Sequence, residues 1–247
     1  MMSNQNTAQP IEISPHAAAL VAGLSLLMMV GLAAFAQFYV LEPLVVAQDA
    51  QVTVNNLRAS SGLFRWAISG FVLVAILDVL VAWGLHGVLE RVNRSLSTLA
   101  VWFRLSYAAV LALALNPLLS VLPLLEAPQS FNGLEANSLN TQVMMSISAF
   151  QSGWDLGLVL FGCHLLVLGY LVFKSVEFPR WLGVLIGVAG LGYLVDSFGK
   201  FLQPSYDFSI AAFTFVGEFL LIFWLLYMGI KGFANPSTER TASSRRV

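Results

Sequence analysis

The stretch "AVWFRLSYAAVLALALNP", residues 100–117, is apolar enough to cross a membrane, yet it carries Arg104 inside it. The same apolar signal repeats along the chain. Runs of about 20 apolar residues read as transmembrane helices. Six such runs occur, from Ala17 to Tyr39, Leu63 to Leu89, Thr98 to Leu119, Ser148 to Phe173, Trp181 to Phe201 and Ser209 to Ile230. The expected fold class is all-α, a polytopic membrane protein with six transmembrane helices in one bundle. Residues 1–16 are expected to form a cytoplasmic N-terminal segment, 17–231 the transmembrane domain, and 232–247 a disordered basic cytoplasmic tail.

Composition agrees. Of 247 residues, 58% are hydrophobic and 10% charged, with a mean hydropathy of +0.80. A soluble domain of this length needs far more charge to cover its surface, so the lipid bilayer is the natural partner. The net charge of -1 gives no basic field for nucleic acid. Cys163 is the single cysteine, which excludes an intramolecular disulfide and a cysteine metal cluster. His16, His86 and His164 are widely spaced and form no H-x-x-H pattern. No metal, cofactor or catalytic group is therefore expected.

The connections set the expected orientation. "ERVNRSLS" and "KSVEFPR" are short and basic, whereas Val40 to Gly62 and Ser120 to Ile147 are long and poor in Lys and Arg. With both termini cytoplasmic, eight cations lie inside (Arg91, Arg94, Lys174, Arg180, Lys231, Arg240, Arg245 and Arg246) and three outside (Arg58, Arg65 and Lys200). The positive-inside rule then favours N-in, C-in. Trp66, Trp154 and Tyr206 are expected near the outer interface, and Trp83, Trp102, Trp181 and Tyr227 near the inner one. "AFAQ" at Ala34 to Gln37 resembles a cleavage site, but the first 16 residues hold no Lys or Arg. The first helix is therefore expected to be retained. "QDAQVTVNNLRASSGLF" and "LNTQVMMSISAF" are candidates for short interfacial helices.

A charge in hydrocarbon costs about 3 kcal/mol on insertion scales, so each needs a partner or a wet cavity. Placed by helical rise, these residues fall into two layers. Asp78, Arg104 and His164 come out roughly 6 to 8 Å to the inner side of the midplane, and the second and third helices are expected neighbours through their short loop. An Asp78–Arg104 ion pair accounts for the arginine; the alternative is that Arg104 snorkels to the headgroups. In the outer layer lie Asp155 and Asp196, with Glu218 near the midplane. Tyr193, Asp196, Ser197 and Lys200 make one polar stripe. Asp155, Tyr193, Asp196 and Glu218 are the candidate ligand or proton site. Arg65 and Lys200, with Asn116, stand at the outer rim. A purely structural reading pairs Asp196 with Lys200 and leaves Glu218 neutral. Gly183, Gly187 and Gly190, like Gly153 and Gly157, have the spacing of tight packing faces. Asn116–Pro117 is expected to end or kink its helix.

"LFR" (63–65), "LD" (77–78), "VNRSLSTLAVWFR" (92–104), "FGCHLLVLGYLVFKS" (161–175) and "PRWLGVLIGVAGLGYLVDSF" (179–198) resemble the six-helix integral membrane family called domain of unknown function 4386. The resemblance runs over nearly the whole chain. It implies a fold and residence in a bacterial or archaeal inner (plasma) membrane, and brings no activity. Cys163 stands within its F-G-x-H piece, with no function attached.

Ionisable residues on five helices point to a protein that binds or moves a small molecule, proton or lipid through a polar intramembrane site. No inverted repeat or pair of broken helices is evident. The alternative is a scaffold, sensor or accessory subunit whose polar residues only specify packing. An intramembrane hydrolase is the weakest reading. His164 is the lone histidine at useful depth, which excludes three-histidine zinc chemistry, and no G-x-S-x-G motif occurs.

Overall fold

The computed structural model describes residues 14–126, 133–203 and 205–231, and within them seven helices and no strand. The N-terminal residues through 13 and the expected tail, 232–247, lie outside the described residues. Six helices are long and apolar enough to cross a membrane: α1 (Pro15–Leu44), α3 (Ser61–Leu89), α4 (Arg94–Glu126), α5 (whose spanning part is Asn137–Lys174), α6 (Arg180–Leu202) and α7 (Ala211–Lys231). A shorter helix, α2 (Ala50–Ala59), lies between the first two.

Local chemistry sets the helix starts. Pro15 opens α1, and the Ser14 hydroxyl accepts from the Ala17 N–H. Asn93 Oδ1 accepts from the Leu96 N–H at the start of α4. The connections α3–α4 and α5–α6 are only a few residues long, so these pairs are forced to be antiparallel neighbours. Both lie at one end of the bundle, the basic end, with Arg91, Arg94, Lys174 and Arg180 in or beside them.

Each spanning helix packs on two others, and α7 closes back on α1, so the six form a ring in chain order. Backbones approach closely where side chains vanish. A Cβ on Gly183 would lie 2.5 Å from the Phe173 amide nitrogen and 2.6 Å from the Gly169 carbonyl oxygen, so α5 and α6 meet backbone to backbone. Gly187 adds backbone surface to that contact, although a Cβ of its own would meet nothing within 4 Å. The outer wall of the ring exposes large apolar side chains, among them Met28, Ile76, Leu113, Val184 and Phe223. Apolar surface this extensive is what lipid tails cover.

Two apolar cores fill the ring unevenly. One occupies the basic half and draws on all six spanning helices. The other, at the opposite end, is built from α1 to α5 and takes nothing from α6 or α7. In that half the side of the ring bounded by α1, α6 and α7 is left unfilled.

Three expectations about the connections meet the structure here. The segment 48–64 does contain a short helix, α2, seated through Val54 and Leu57 and tied by Arg58 Nε donating to the Leu125 carbonyl at 3.2 Å. "LNTQVMMSISAF" is instead continuous with α5, which runs Gly133–Lys174. Leu139, Val143, Ile147 and Phe150 make one buried helical stripe against α4, and no Gly or Pro interrupts them. Nor does Pro117 end its helix: α4 passes through Pro117 and Pro123 to Glu126, with Ser120 Oγ donating to the Pro117 carbonyl at 2.6 Å.

Candidate functional site

Asp78 on α3, Arg104 on α4 and His164 on α5 are each at most 2% exposed. Arg104 Nη2 lies 2.7 Å from Asp78 Oδ1, a close ion pair rather than an aligned hydrogen bond. Arg104 Nη1 donates to His164 Nε2 at 3.2 Å, and His164 Nδ1 stands 2.9 Å from the Ala100 carbonyl oxygen. A guanidinium only donates and a carbonyl only accepts. His164 is therefore the neutral tautomer with its proton on Nδ1. The Phe161 ring sits 5.4 Å from the guanidinium carbon and adds a cation–π contact. Arg104 is thus held in the interior and does not snorkel. Asp78 Oδ2 and Arg104 Nε remain buried without a protein partner.

On the side away from the basic end, Arg104 faces a cavity of about 240 Å3 lined by all six spanning helices. Its walls are apolar, with residues such as Met29, Val74 and Leu111. Its polar groups are Arg104, Tyr107, Trp154, Tyr193 and Glu218. The Tyr193 hydroxyl is turned toward Glu218, within electrostatic range. Glu218 Oε1 and Trp154 Nε1 are buried without a well-formed hydrogen bond.

This inner chamber shares Val30, Ala33, Trp154, Leu158 and Tyr193 with a larger one of about 570 Å3. The larger chamber occupies the unfilled side between α1, α5, α6 and α7 and reaches the end opposite the basic one. Ser197 Oγ, buried and unpartnered, belongs to residues lining it. Beyond Arg104 toward the basic end, only about 10 Å3 of space remains beside His164, His86 and Ser97, room for about one water. The chamber is therefore open at one end and closed at the other.

The remaining candidates are spoken for. Lys200 Nζ pairs with Asp155 Oδ1 across helices at 2.7 Å, not with Asp196 in its own helix. Asp196 takes three hydrogen bonds, from the Tyr206 hydroxyl at 2.7 Å and the backbone N–H groups of Ile210 at 2.9 Å and Ala211 at 2.7 Å. It is the carboxylate cap that fixes the start of α7, the helix that carries Glu218. Arg65 reaches over to Glu126 at 2.6 Å, outside the chamber.

Two features differ from the sequence reading. Trp154, expected at the lipid interface, turns inward and packs edge-on against Phe71 at 5.2 Å between ring centres. Glu218, placed near the midplane and outside the layer of Arg104, shares its chamber with Arg104. Depth counted along Cα atoms neglects the length of the arginine stem, which moves the charge several ångströms from its backbone. Tyr107 was also missed as a chamber residue; its spacing of three from Arg104 puts both on one face of α4.

The fold and site define a six-helix membrane-type bundle with a one-ended polar chamber. The chain belongs to the family described as Domain of unknown function (DUF4386), whose pattern matches residues 21–229. It is similar to a protein of Archaeoglobus fulgidus described as "Uncharacterized protein", with 36% identity over 166 residues, 67% of this chain and 85% of that protein. No solved structure matches it.

Proposed function

We propose that this is a multi-pass protein of the plasma membrane, N-in and C-in, that binds or moves a small molecule or lipid through its central chamber. One observation carries the reading. All six spanning helices converge on a cavity that holds unpaired polar atoms of Glu218 and Trp154. A buried polar group without a partner costs about 1–3 kcal/mol, and a chamber that opens to one side offers a way to satisfy it. The larger chamber, of about 570 Å3, falls within the range of ligand sites, which span about 300–1,000 Å3 with mostly apolar walls and few polar groups. The scaffold reading draws on the rim, where Asp155 and Asp196 are satisfied within the protein. One oxygen of Glu218, Oε1, is not, and this favours binding.

Leu158 lines both chambers, so it reports on access. In a Cys163→Ser background, Leu158→Cys is expected to react with a small thiol reagent in the folded protein. Protection of that cysteine to the same degree as one buried in the α5–α6 contact would mean a dry interior, and the scaffold reading would take over.

A further inference from the structure

We infer that the ligand is an uncharged, hydroxyl-bearing lipid that enters sideways from the bilayer between α1 and α7. The inference rests on the binding role of the chamber and adds the route and the chemical class.

The route comes from where α1 and α7 touch. They are tight near the basic end, where a Cβ on Gly23 would lie 3.2 Å from the Leu226 amide nitrogen and one on Gly229 3.0 Å from that of Leu20. Toward the other end they stop filling the space between them. Ala33, Ala34, Ala211 and Ala212 face the larger chamber there, and small side chains leave it open. Phe38 and Phe215 line its mouth while remaining 65% and 47% exposed. Both helices lose regular geometry at this place. Phe35–Leu41 of α1 is a π-helical segment, and the first turn of α7, Ala211–Thr214, is offset from the rest at Phe215. π segments recur at functional sites because they re-aim side chains at a cost in helix stability. Phe38 and Phe215 belong to spanning helices, so the mouth opens through the side of the ring near the end opposite the basic one.

The class comes from charge and hydrogen bonding. Arg104 is neutralised by Asp78, and Lys200 by Asp155. No free positive charge remains among the residues lining the chamber, and Glu218 is an acid, so a carboxylate or phosphate head is disfavoured there. The unpaired atoms among residues lining the inner chamber are one acceptor, Glu218 Oε1, and two donors, Trp154 Nε1 and Arg104 Nε. A hydroxyl is the smallest group that donates to the acceptor and accepts from a donor. The apolar walls between the inner chamber and the mouth suit a hydrocarbon chain trailing back toward the bilayer.

The test uses the full chain in lipid nanodiscs with hexadecanol carrying a photoreactive diazirine near its hydroxyl. Labelling is expected on the peptides holding Trp154 and Glu218. Unlabelled hexadecanol should compete and hexadecanoic acid should not. Ala33→Trp fills the junction of the two chambers and should cut labelling by about tenfold or more. Ala212→Trp, at an exposed position on the mouth, does the same should the first variant fail to fold. Equal competition by the acid overturns the uncharged class. Labelling unchanged in both tryptophan variants overturns the route. No labelling of a protein whose Leu158→Cys still reacts overturns the lipid while leaving the chamber as a binding site. No labelling with Leu158→Cys unreactive removes both.

Discussion

Arg104 Nη2 stands 2.7 Å from Asp78 Oδ1, and neither side chain reaches the protein surface. The pair joins α3 to α4 at the floor of the chamber, and through Arg104 it also holds His164 of α5. Losing one member leaves a buried charge uncompensated. Asp78→Asn or Arg104→Gln should each destabilise by about 3–5 kcal/mol, and the double variant should lose much less than their sum. Unfolding of the three variants in detergent measures this coupling; additive losses would deny it.

The α5–α6 contact predicts opposite outcomes for two neighbouring glycines. Gly183→Ala drives a methyl into the Phe173 and Gly169 backbones, which cannot give way. It should cost about 1–3 kcal/mol and lower the thermal midpoint. Gly187→Ala meets nothing and removes a flexible residue from a helix interior, so it should be neutral or stabilising by up to about 1 kcal/mol. Equal loss in both would show that this contact is looser than the structure has it.

The proposed N-in, C-in orientation rests on the charge asymmetry and is tested by labelling. Ser95 and Ser138 are exposed at opposite ends of the bundle. In a Cys163→Ser background, Ser138→Cys should react with an impermeant thiol reagent added outside intact cells, and Ser95→Cys should react only after lysis. The reverse pattern would invert the protein.

Asp196 links α6 to the start of α7 through Tyr206, and this link is sensitive to alkali. The hydroxyl hydrogen bond to Asp196 raises the Tyr206 pKa above its ordinary 10.0, with smaller contributions from desolvation and the carboxylate charge. A raised pKa means the bond's contribution is fully present below pH 10.0 and is lost as pH rises through the higher folded value. The thermal midpoint should therefore fall more steeply above about pH 10 in the native protein than in Tyr206→Phe. Parallel curves would show that the bond adds nothing.

The six spans were legible in the sequence because lipid demands long uninterrupted apolar runs, and helical rise alone puts Asp78, Arg104 and His164 at one depth. The rotation that turns those three toward one another comes from packing around the ring. Helix ends were less legible. Nothing in composition marks where α4 and α5 leave the bilayer, since the same apolar stripe goes on to pack helix against helix. The role of Asp196 needed the tertiary position of the start of α7, whose Ile210 and Ala211 N–H groups lie on a carboxylate 14 and 15 residues earlier in the chain. The chamber itself depended most on tertiary structure. It exists because α7 closes on α1 at one end and leaves space at the other, a contact between the two ends of the chain. Short-range sequence pattern determines which segments are helices and how deep each polar group lies. Which way those groups face, and what stays empty between them, is decided only when the ring closes.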